Sequence, residues 1–205
     1  MYLIAGRFSS RAQLAGILVC VAIVRDYRPE DQEAVVEIVR VVYEEYGFGW
    51  EPEGYHLDLF DIPRHYQHES GAFWCAEVDG RVIGCGGILV FPAIAGHAGQ
   101  LTEHEGQTHI AGCDCELVRL FVHPAERRKG AGTGLVRKIV GDAARRGCGS
   151  MEIWSDKTLK DAHRLYDRFG AVTVGERICP PPDLMPEWGM AMDIKRCGTL
   201  DESRT

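Results

Sequence analysis

The chain has 205 residues, of which 45% are hydrophobic and 26% are charged. This length suits one substantial hydrophobic core and is short for two, so a single domain is expected. The formal net charge of -7 at pH 7 argues against nucleic acid as a partner, because nucleic-acid-binding domains carry clustered basic charge. Eight cysteines follow no regular spacing, which favours buried free thiols in a reducing cytoplasm over a disulfide framework.

The N-terminal region is expected to contain an extension, residues 1–17, that is poorly ordered and precedes the fold. The apolar run 14–24 is too short to span a bilayer, which takes about 20 apolar residues, and no small-residue cleavage site follows it. We therefore expect no membrane partner and predict that residues 18–26 form the first strand. Pro29 then suits the first turn of a helix. The apolar face of this helix is formed by Ala34, Val35, Ile38, Val39 and Val42.

A hairpin is the clearest local prediction. Residues 72–78 and 81–90 are rich in apolar side chains, and Asp79-Gly80 between them favours a two-residue turn. The preceding residues, from Gly47 to Gly71, are rich in aromatic side chains, histidines and acids. For any single one of these aromatic side chains, a place in the core is the simpler interpretation.

The segment 92–114 is long for a connection between antiparallel strands. Loops of this length are usually functional or disordered, and both alternatives stay open here. Cys113 and Cys115, with His104 and His109, offer possible metal ligands. Only one residue separates the two cysteines, however, whereas zinc-binding pairs usually have two to four residues between them. No metal site is therefore predicted.

A strand, a glycine turn and a helix follow one another from Cys115 onwards. The strand is Cys115-Glu-Leu-Val-Arg-Leu-Phe-Val-His-Pro124, and Gly130 and Gly132 in the turn have no Cβ, so a phosphate can approach the backbone closely. The first amides of the following helix lack intrahelical partners, and its dipole places positive charge at the same end. Three consecutive cations, Arg127 to Lys129, stand against the negative charge of the whole chain. These features predict a site for the pyrophosphate of a specific ligand.

Two common phosphate-binding motifs do not fit this turn. A P-loop requires G-x-x-x-x-G-K-[ST], and after Gly130 the lysine position is filled by Arg137 at best. A dinucleotide fingerprint requires G-x-G-x-x-G, but the third glycine, Gly134, comes one residue early and Leu135 stands in its place.

The last third of the chain alternates strand and helix patterns. A strand is predicted at Met151–Trp154, and Ser155 or Asp156 is expected to cap the next helix. That helix ends at Gly170. Two final strands are predicted near residues 171–178 and 188–194, joined by a turn at residues 180–183.

Two of these segments resemble the motifs of a known family. R-x-x-G-x-G directly after the Glu-Leu-x-Arg-Leu-Phe-Val-x-Pro strand resembles motif A of the GCN5-related N-acetyltransferases (GNAT), and A-x-x-L-Y-x-x-x-G, from Ala162 to Gly170, resembles their motif B. The resemblance covers roughly residues 22–195, and this length is typical of one compact domain. It implies an α/β (α+β) GNAT fold with a mixed, mostly antiparallel sheet of about seven strands and about four helices. The domain is expected at residues 18–197, with a disordered tail at residues 198–205.

The resemblance implies acetyl-CoA as co-substrate and a primary amine of a small molecule or peptide as acceptor. In the family, the region between Gly47 and Gly71 covers the acceptor site. The family pattern pairs the backbone of Leu120, Phe121 and Val122 with the pantetheine arm of the cofactor and places its pyrophosphate on residues 127–133. The implied cofactor-binding residues are thus Leu120, Phe121, Val122, Arg127, Arg128, Lys129, Gly130, Ala131, Gly132 and Thr133.

Two side chains are candidates for proton transfer. Under simple alternation Glu116 shares a strand face with Val118, Leu120 and Val122, where partial burial would raise its pKa and suit it to act as general base. An ion pair of Glu116 with Arg119 or another cation is the open alternative. Motif B places a tyrosine, here Tyr166, near the thiol of CoA, and a phenol protonated at neutral pH suits a general acid.

The function remains open between two classes. The leading hypothesis is an acetyl-CoA-dependent N-acetyltransferase, and the alternative is a noncatalytic acyl-CoA-binding sensor or regulatory module. The presence of both Glu116 and Tyr166 favours the enzyme. The pattern does not identify the amine, because a fold and a cofactor site do not define the acceptor pocket. Homodimerisation is common in the family and is possible here.

Overall fold

A seven-stranded sheet forms the centre of the protein. The computed structural model describes residues 12–14, 17–19, 22–179 and 184–197. The strands are β1 (Ala12–Leu14), β2 (Ile17–Val19), β3 (Ile23–Asp26), β4 (Gly71–Val78), β5 (Arg81–Val90), β6 (Leu101–His104), β7 (Gln107–Ile110), β8 (Cys115–Val122), β9 (Ser150–Asp156), β10 (Val172–Ile178) and β11 (Pro186–Asp193). The central sheet has the order β10-β11-β9-β8-β5-β4-β3, and only the β8–β9 pair is parallel. The mixed, mostly antiparallel GNAT-like sheet predicted from the sequence is therefore confirmed.

Five α-helices occur among the described residues, one more than expected. They are α1 (Gln32–Tyr46), α2 (Ile62–Tyr66), α3 (Ala131–Arg145), α4 (Lys160–Arg168) and α5 (Ile194–Cys197). Helix α1 buries the predicted apolar face and ends at Gly47, whose φ of 71° is a conformation that glycine adopts without strain. No helix in this part of the chain has the length and apolar character needed to cross a membrane.

The sheet separates two hydrophobic clusters. On one face, α3 and α4 pack against the strands around Leu135, Ile139 and Ile153. On the other face, α1 and α2 cover Phe73 and Cys85. The thiols of Cys75 and Cys85 are completely buried, and burial raises the pKa of Cys85 to about 12, so both act as small core side chains.

The N-terminal strand differs from the prediction. Residues 18–26 do not form one strand: β2 pairs with β1 in a separate two-stranded ribbon, and only β3 joins the central sheet, against β4. The ribbon spans the predicted boundary between residues 17 and 18. Residues 1–11 of the predicted extension, the turn at residues 180–183 and the tail 198–205 lie outside the described residues.

One further local prediction is wrong, and one region that the sequence left open is ordered. The start of α4 is not capped by Ser155 or Asp156, because β9 extends through Asp156 and the helix begins at Lys160 without a side-chain cap. Asp156 instead accepts hydrogen bonds from the amide and hydroxyl of Thr158, at 2.7 and 2.5 Å, and so stabilises the preceding turn. The segment 92–114, in turn, contains the hairpin β6–β7.

Candidate active site

The parallel strands β8 and β9 separate after three residue pairs. Cys115, Glu116 and Leu117 pair with Met151, Glu152 and Ile153, and the pairing ends there. A cleft of about 650 Å³ opens beyond this point, between β8, the start of α3 and α4. We call it the outer cleft. Its lining residues are Val42, Tyr46, Leu120, Phe121, Val122, Arg127, Arg128, Gly130, Gly132, Thr133, Leu159, Asp161, Ala162, Arg164, Leu165, Asp167 and Arg168.

A β-bulge in β8 accompanies this separation. Val118 faces Gly87 and Phe121 faces Cys85, so Arg119 and Leu120 together stand opposite Gly86. Arg119 has a φ of 52°, which is unusual for a residue with a side chain.

The bulge corrects the predicted strand face. Glu116 and Val118 do not share a face with Leu120 and Val122, because one extra residue reverses the alternation. Val118 packs with the hydrophobic cluster on the sheet face that α1 and α2 cover. Leu120 and Val122 pack with the cluster on the opposite face, beneath α3 and α4.

The N-terminus of α3 presents free backbone donors to the outer cleft. Gly130 has a φ of 96°, and a Cβ on it would meet no atom within 4 Å. The amide of Gly134 bonds back to the carbonyl of Gly130 at 2.9 Å. The three preceding amides of the first turn, at residues 131–133, have no intrahelical acceptor, so the helix end can receive an anion.

The three consecutive cations have different surroundings. Arg127 binds Glu45 on α1 at 2.7 Å and the carbonyl of Val122 at 3.2 Å. Lys129 binds Glu126 and the carbonyl of Ala125, each at 3.0 Å. Arg128 is exposed, lines the outer cleft and has no side-chain partner among the described residues. Its charge is therefore the one left available to a ligand.

Eight of the ten predicted cofactor-binding residues line the outer cleft. The two others do not: Lys129 turns to the 124–126 turn, and Ala131 is buried in the core. The opposite wall was not predicted from the sequence; it includes Arg164, Leu165 and Arg168 of α4. The 3.6-residue period of α4 could have indicated this second face, since only one side of the helix carries its apolar residues.

A smaller cavity of about 230 Å³ adjoins the outer cleft. We call it the inner cavity. Leu120, Phe121, Leu159 and Ala162 line both spaces, so they are continuous. The other lining residues are Tyr43, Phe48, Tyr55, Tyr66, Glu116, Leu117, Val118, Arg119, Trp154, Ser155, Asp156, Tyr166, Arg177 and Glu187.

Glu116 is a carboxyl group without a partner in this cavity. It makes no hydrogen bond or ion pair among the described residues, and burial raises its pKa to about 7, with the nearby charge of Glu152 as the next cause. The pairing with Arg119 that the sequence left open is not formed. The group can therefore take up and release a proton near neutral pH.

Arg119 belongs to a network with the aromatic region before β4. Its guanidinium binds both carboxylate oxygens of Asp58, at 2.7 and 2.8 Å, and the carbonyl of Tyr55 at 2.7 Å. The same guanidinium lies 4.6 Å from the centre of the Tyr55 ring, and the hydroxyl of Tyr66 donates to Asp58. This network fastens residues 55–66 to the bulge and forms one wall of the inner cavity.

Tyr166 lies on α4 at the junction of the sheet and the inner cavity. Its side chain is 4% exposed, and burial raises the pKa of its phenol. The hydroxyl therefore stays protonated at neutral pH. Tyr166 lines the inner cavity together with Glu116, while its neighbour Leu165 lines the outer cleft.

The hairpin β6–β7 binds charged side chains near the inner cavity, although none of its residues lines that cavity. His109 pairs with Glu152 at 2.6 Å, and the amide of Ile110 donates to the other Glu152 oxygen at 2.7 Å. Arg177 donates to the carbonyl of Thr108 at 3.0 Å and to Glu187 at 2.8 Å. The segment 92–114 is thus partly ordered and contacts Arg177, one of the residues that line the cavity.

The grouping of Cys113 and Cys115 with the two histidines is not formed in the described part of the chain. The group that does gather possible metal ligands comprises Asp114, Cys115 and Cys148, whose ligand atoms lie within 4.8 Å of one another. Both oxygens of Asp114 already accept backbone hydrogen bonds, from Gly149 at 2.8 Å and Ser150 at 3.2 Å. This carboxylate therefore has a structural role at the start of β9.

Comparison with known proteins agrees with this geometry. Residues 35–171 match the acetyltransferase (GNAT) family. The uncharacterized N-acetyltransferase YjgM of Escherichia coli K12 is 28% identical over 144 residues, which cover 69% of this chain and 76% of that protein.

Solved structures share the fold. An acetyltransferase of Streptococcus agalactiae 2603 superposes with a TM-score of 0.65 at 16% identity, over 84% of this chain and 98% of that chain. YncA of Salmonella typhimurium, a putative acetyltransferase solved with its cofactor acetyl-CoA, superposes with a TM-score of 0.62 at 17% identity. That match covers 85% of this chain and 94% of the YncA chain.

Proposed function

This chain belongs to the acetyltransferase (GNAT) family, and we propose that it transfers an acetyl group from acetyl-CoA directly to a primary amine bound beside Glu116. The observation that carries the proposal is the continuity of two spaces. The outer cleft ends in a helix terminus suited to a pyrophosphate, and the inner cavity contains a partnerless carboxyl group. A donor molecule in the outer cleft would thereby meet an acceptor in the inner cavity.

The residues of the outer cleft fit coenzyme A. The unbonded amides at residues 131–133 and the free charge of Arg128 suit the phosphates. The separated part of β8, at Leu120 to Val122, leaves backbone groups available to the amide groups of an extended pantetheine arm. Arg164 and Arg168 add positive charge on the α4 side.

The inner cavity supplies the groups for proton transfer. Acetyl-CoA, when bound, supplies an activated acetyl thioester. Glu116 in its ionised form accepts a proton from the ammonium form of the acceptor, either directly or through water, and so makes the amine nucleophilic. The backbone amide near Leu120 or Phe121 is a donor for the developing charge on the carbonyl oxygen. Tyr166 holds a proton that is available to the departing thiolate.

The test combines binding with turnover. Acetyl-CoA is titrated calorimetrically into the purified protein, and thiol release is then measured with a panel of primary amines. We expect binding, and amine-dependent thiol release that Glu116→Gln reduces by about 100-fold or more, the usual contribution of a general base. Binding that is not followed by turnover on any amine would instead favour a sensor of acyl-CoA. Absence of acetyl-CoA binding would refute the proposed cofactor site.

A further inference from the structure

Three consecutive residues of β7 hold charged groups that face Glu116. His109 and Ile110 bind the two oxygens of Glu152, and the carbonyl of Thr108 accepts from Arg177. Arg177 in turn binds Glu187. The hairpin β6–β7 therefore helps to fix where these charges lie around Glu116.

Glu152 is the nearest of these charges along the sheet. It is the register partner of Glu116 in the parallel pair β8–β9, so both side chains project from the same face on adjacent strands. Glu152 has no exposed surface, and both of its oxygens are occupied by β7. The charge of Glu152, held in place by two donors, raises the pKa of the second carboxyl beside it.

The other titratable groups around Glu116 come from every neighbouring element. Glu187 acts in the same direction as Glu152, whereas Arg177 and Arg119 oppose them. Arg119 is already neutralised by Asp58, and Arg177 by Glu187. The remaining titratable residues that line the cavity are Tyr43 on α1, Tyr55 and Tyr66 before β4, Asp156 on β9 and Tyr166 on α4.

We infer that Glu152 is a positioning residue for Glu116, and that β6–β7 belongs to the active site because His109 and Ile110 hold Glu152 there. This inference rests on the proposed function only where it concerns turnover. The electrostatic coupling of the two glutamates exists independently of any reaction. Glu116 acts on the acceptor, whereas Glu152 and His109 act through Glu116.

The first test measures the protonation of Glu116 without turnover. The side-chain carboxyl 13C resonance of Glu116, assigned with Glu116→Gln, is followed against pH by NMR. Glu152→Gln can keep both hydrogen bonds, by accepting from Ile110 and donating to His109, but it removes the charge. We expect the Glu116 midpoint to fall from about 7 by about one unit or more, because a like charge nearby is lost. An unchanged midpoint would overturn the inference.

A second variant and a control separate this coupling from general damage. His109→Phe removes the side-chain partner of Glu152, so the charge beside Glu116 is no longer held in place and the Glu116 midpoint shifts in the wild-type background. In the Glu152→Gln background the same change should have no effect. An equal shift in both backgrounds would contradict the path through Glu152. Glu103→Gln is the matched control, because Glu103 lies on the same hairpin and accepts a hydrogen bond from Thr108 at 2.7 Å. The Glu116 midpoint in this variant should equal that in the wild type.

Kinetics then distinguish the inference from the proposed function. If Glu116 is the base, the acidic limb of the kcat/KM profile moves to lower pH in Glu152→Gln together with the NMR midpoint. If the NMR midpoint moves and the kinetic limb does not, the positioning of Glu116 by Glu152 stands and the role of Glu116 as base is rejected. If neither moves, the positioning itself is rejected.

Discussion

At Glu116, the folded structure raises the pKa of a carboxyl group and thereby reduces stability at alkaline pH. Its side chain lies in a cavity with four charged neighbours, it has no partner among the described residues, and its pKa is raised to about 7. In an unfolded chain the pKa of the same group would be near its ordinary value of 4.5. The folded state therefore holds the proton more tightly than the unfolded state, which links stability to pH.

Glu116→Gln is expected to stabilise the protein at alkaline pH. In the wild type, the stability associated with the raised pKa is fully present below about pH 4.5 and is lost as the pH rises to about 7. Glutamine removes this loss, so we expect a gain of about 1–3 kcal/mol in the free energy of unfolding above neutral pH. Urea unfolding across the pH range measures it. Equal stabilities of the two proteins at every pH would show that Glu116 is solvated.

Tyr166→Phe is expected to reduce turnover while leaving acetyl-CoA binding intact. The phenol lines the inner cavity and not the outer cleft, so its loss removes a proton donor but no group proposed to hold the phosphates or the pantetheine arm. We expect kcat to fall by about 10- to 100-fold, at the low end for general acid catalysis. Steady-state kinetics and calorimetry measure the two quantities.

A second buried tyrosine controls for the loss of a core hydroxyl. Tyr27 is 4% exposed, and its hydroxyl has no partner among the described residues. Because Tyr27 lines neither the outer cleft nor the inner cavity, Tyr27→Phe should leave kcat unchanged. A kcat of Tyr166→Phe that equals that of Tyr27→Phe would exclude the acid role.

Helix α3 shows how packing can prepare an element for the binding proposed here. Its buried face, which includes Leu135, Val136 and Ile139, fixes the helix against the sheet. Its N-terminus is consequently held at the outer cleft, beside the separated end of β8. The same amides would bind an anion poorly on a helix that was free to move.

Gly130→Glu is expected to weaken acetyl-CoA binding by about tenfold or more, since a carboxylate at the helix N-terminus competes with the pyrophosphate. Gly147→Glu provides a matched control at the other end of α3. Gly147 also has a positive φ, 82°, and a Cβ on it would meet nothing within 4 Å, so the backbone strain is comparable. Calorimetric titration of both variants compares them. Equal affinities would place the phosphates elsewhere.

At the scale of the whole molecule, the two parts of the sheet are joined weakly where the cleft opens. Three residue pairs link β8 to β9, and the cleft walls then come from β8 and α3 on one side and α4 on the other. A ligand that contacts both sides would connect them. Binding energy of this kind appears as added stability of the folded state.

Acetyl-CoA is therefore expected to raise the free energy of unfolding by about 2.7 kcal/mol at a free concentration one hundred times its Kd. Amide hydrogen exchange should slow in β8 beyond Val118 and in α4, because both walls of the outer cleft become ordered together. Protection confined to one wall would contradict a ligand that bridges the opening.

Local properties allowed much of this protein to be predicted from its sequence, whereas long-range contacts were decided by the tertiary structure. The glycine turn, the amphipathic helix α3 and the hairpin of β4 and β5 depend on residues that are close in the chain. Their sequence patterns were therefore sufficient to predict them. The bulge at Arg119 was not predictable in this way, because its side chain is held by Asp58, 61 residues away. The link between His109 and Glu152 spans 43 residues. Sequence thus identified Glu116 as a candidate, and only the folded chain determined which charges surround it.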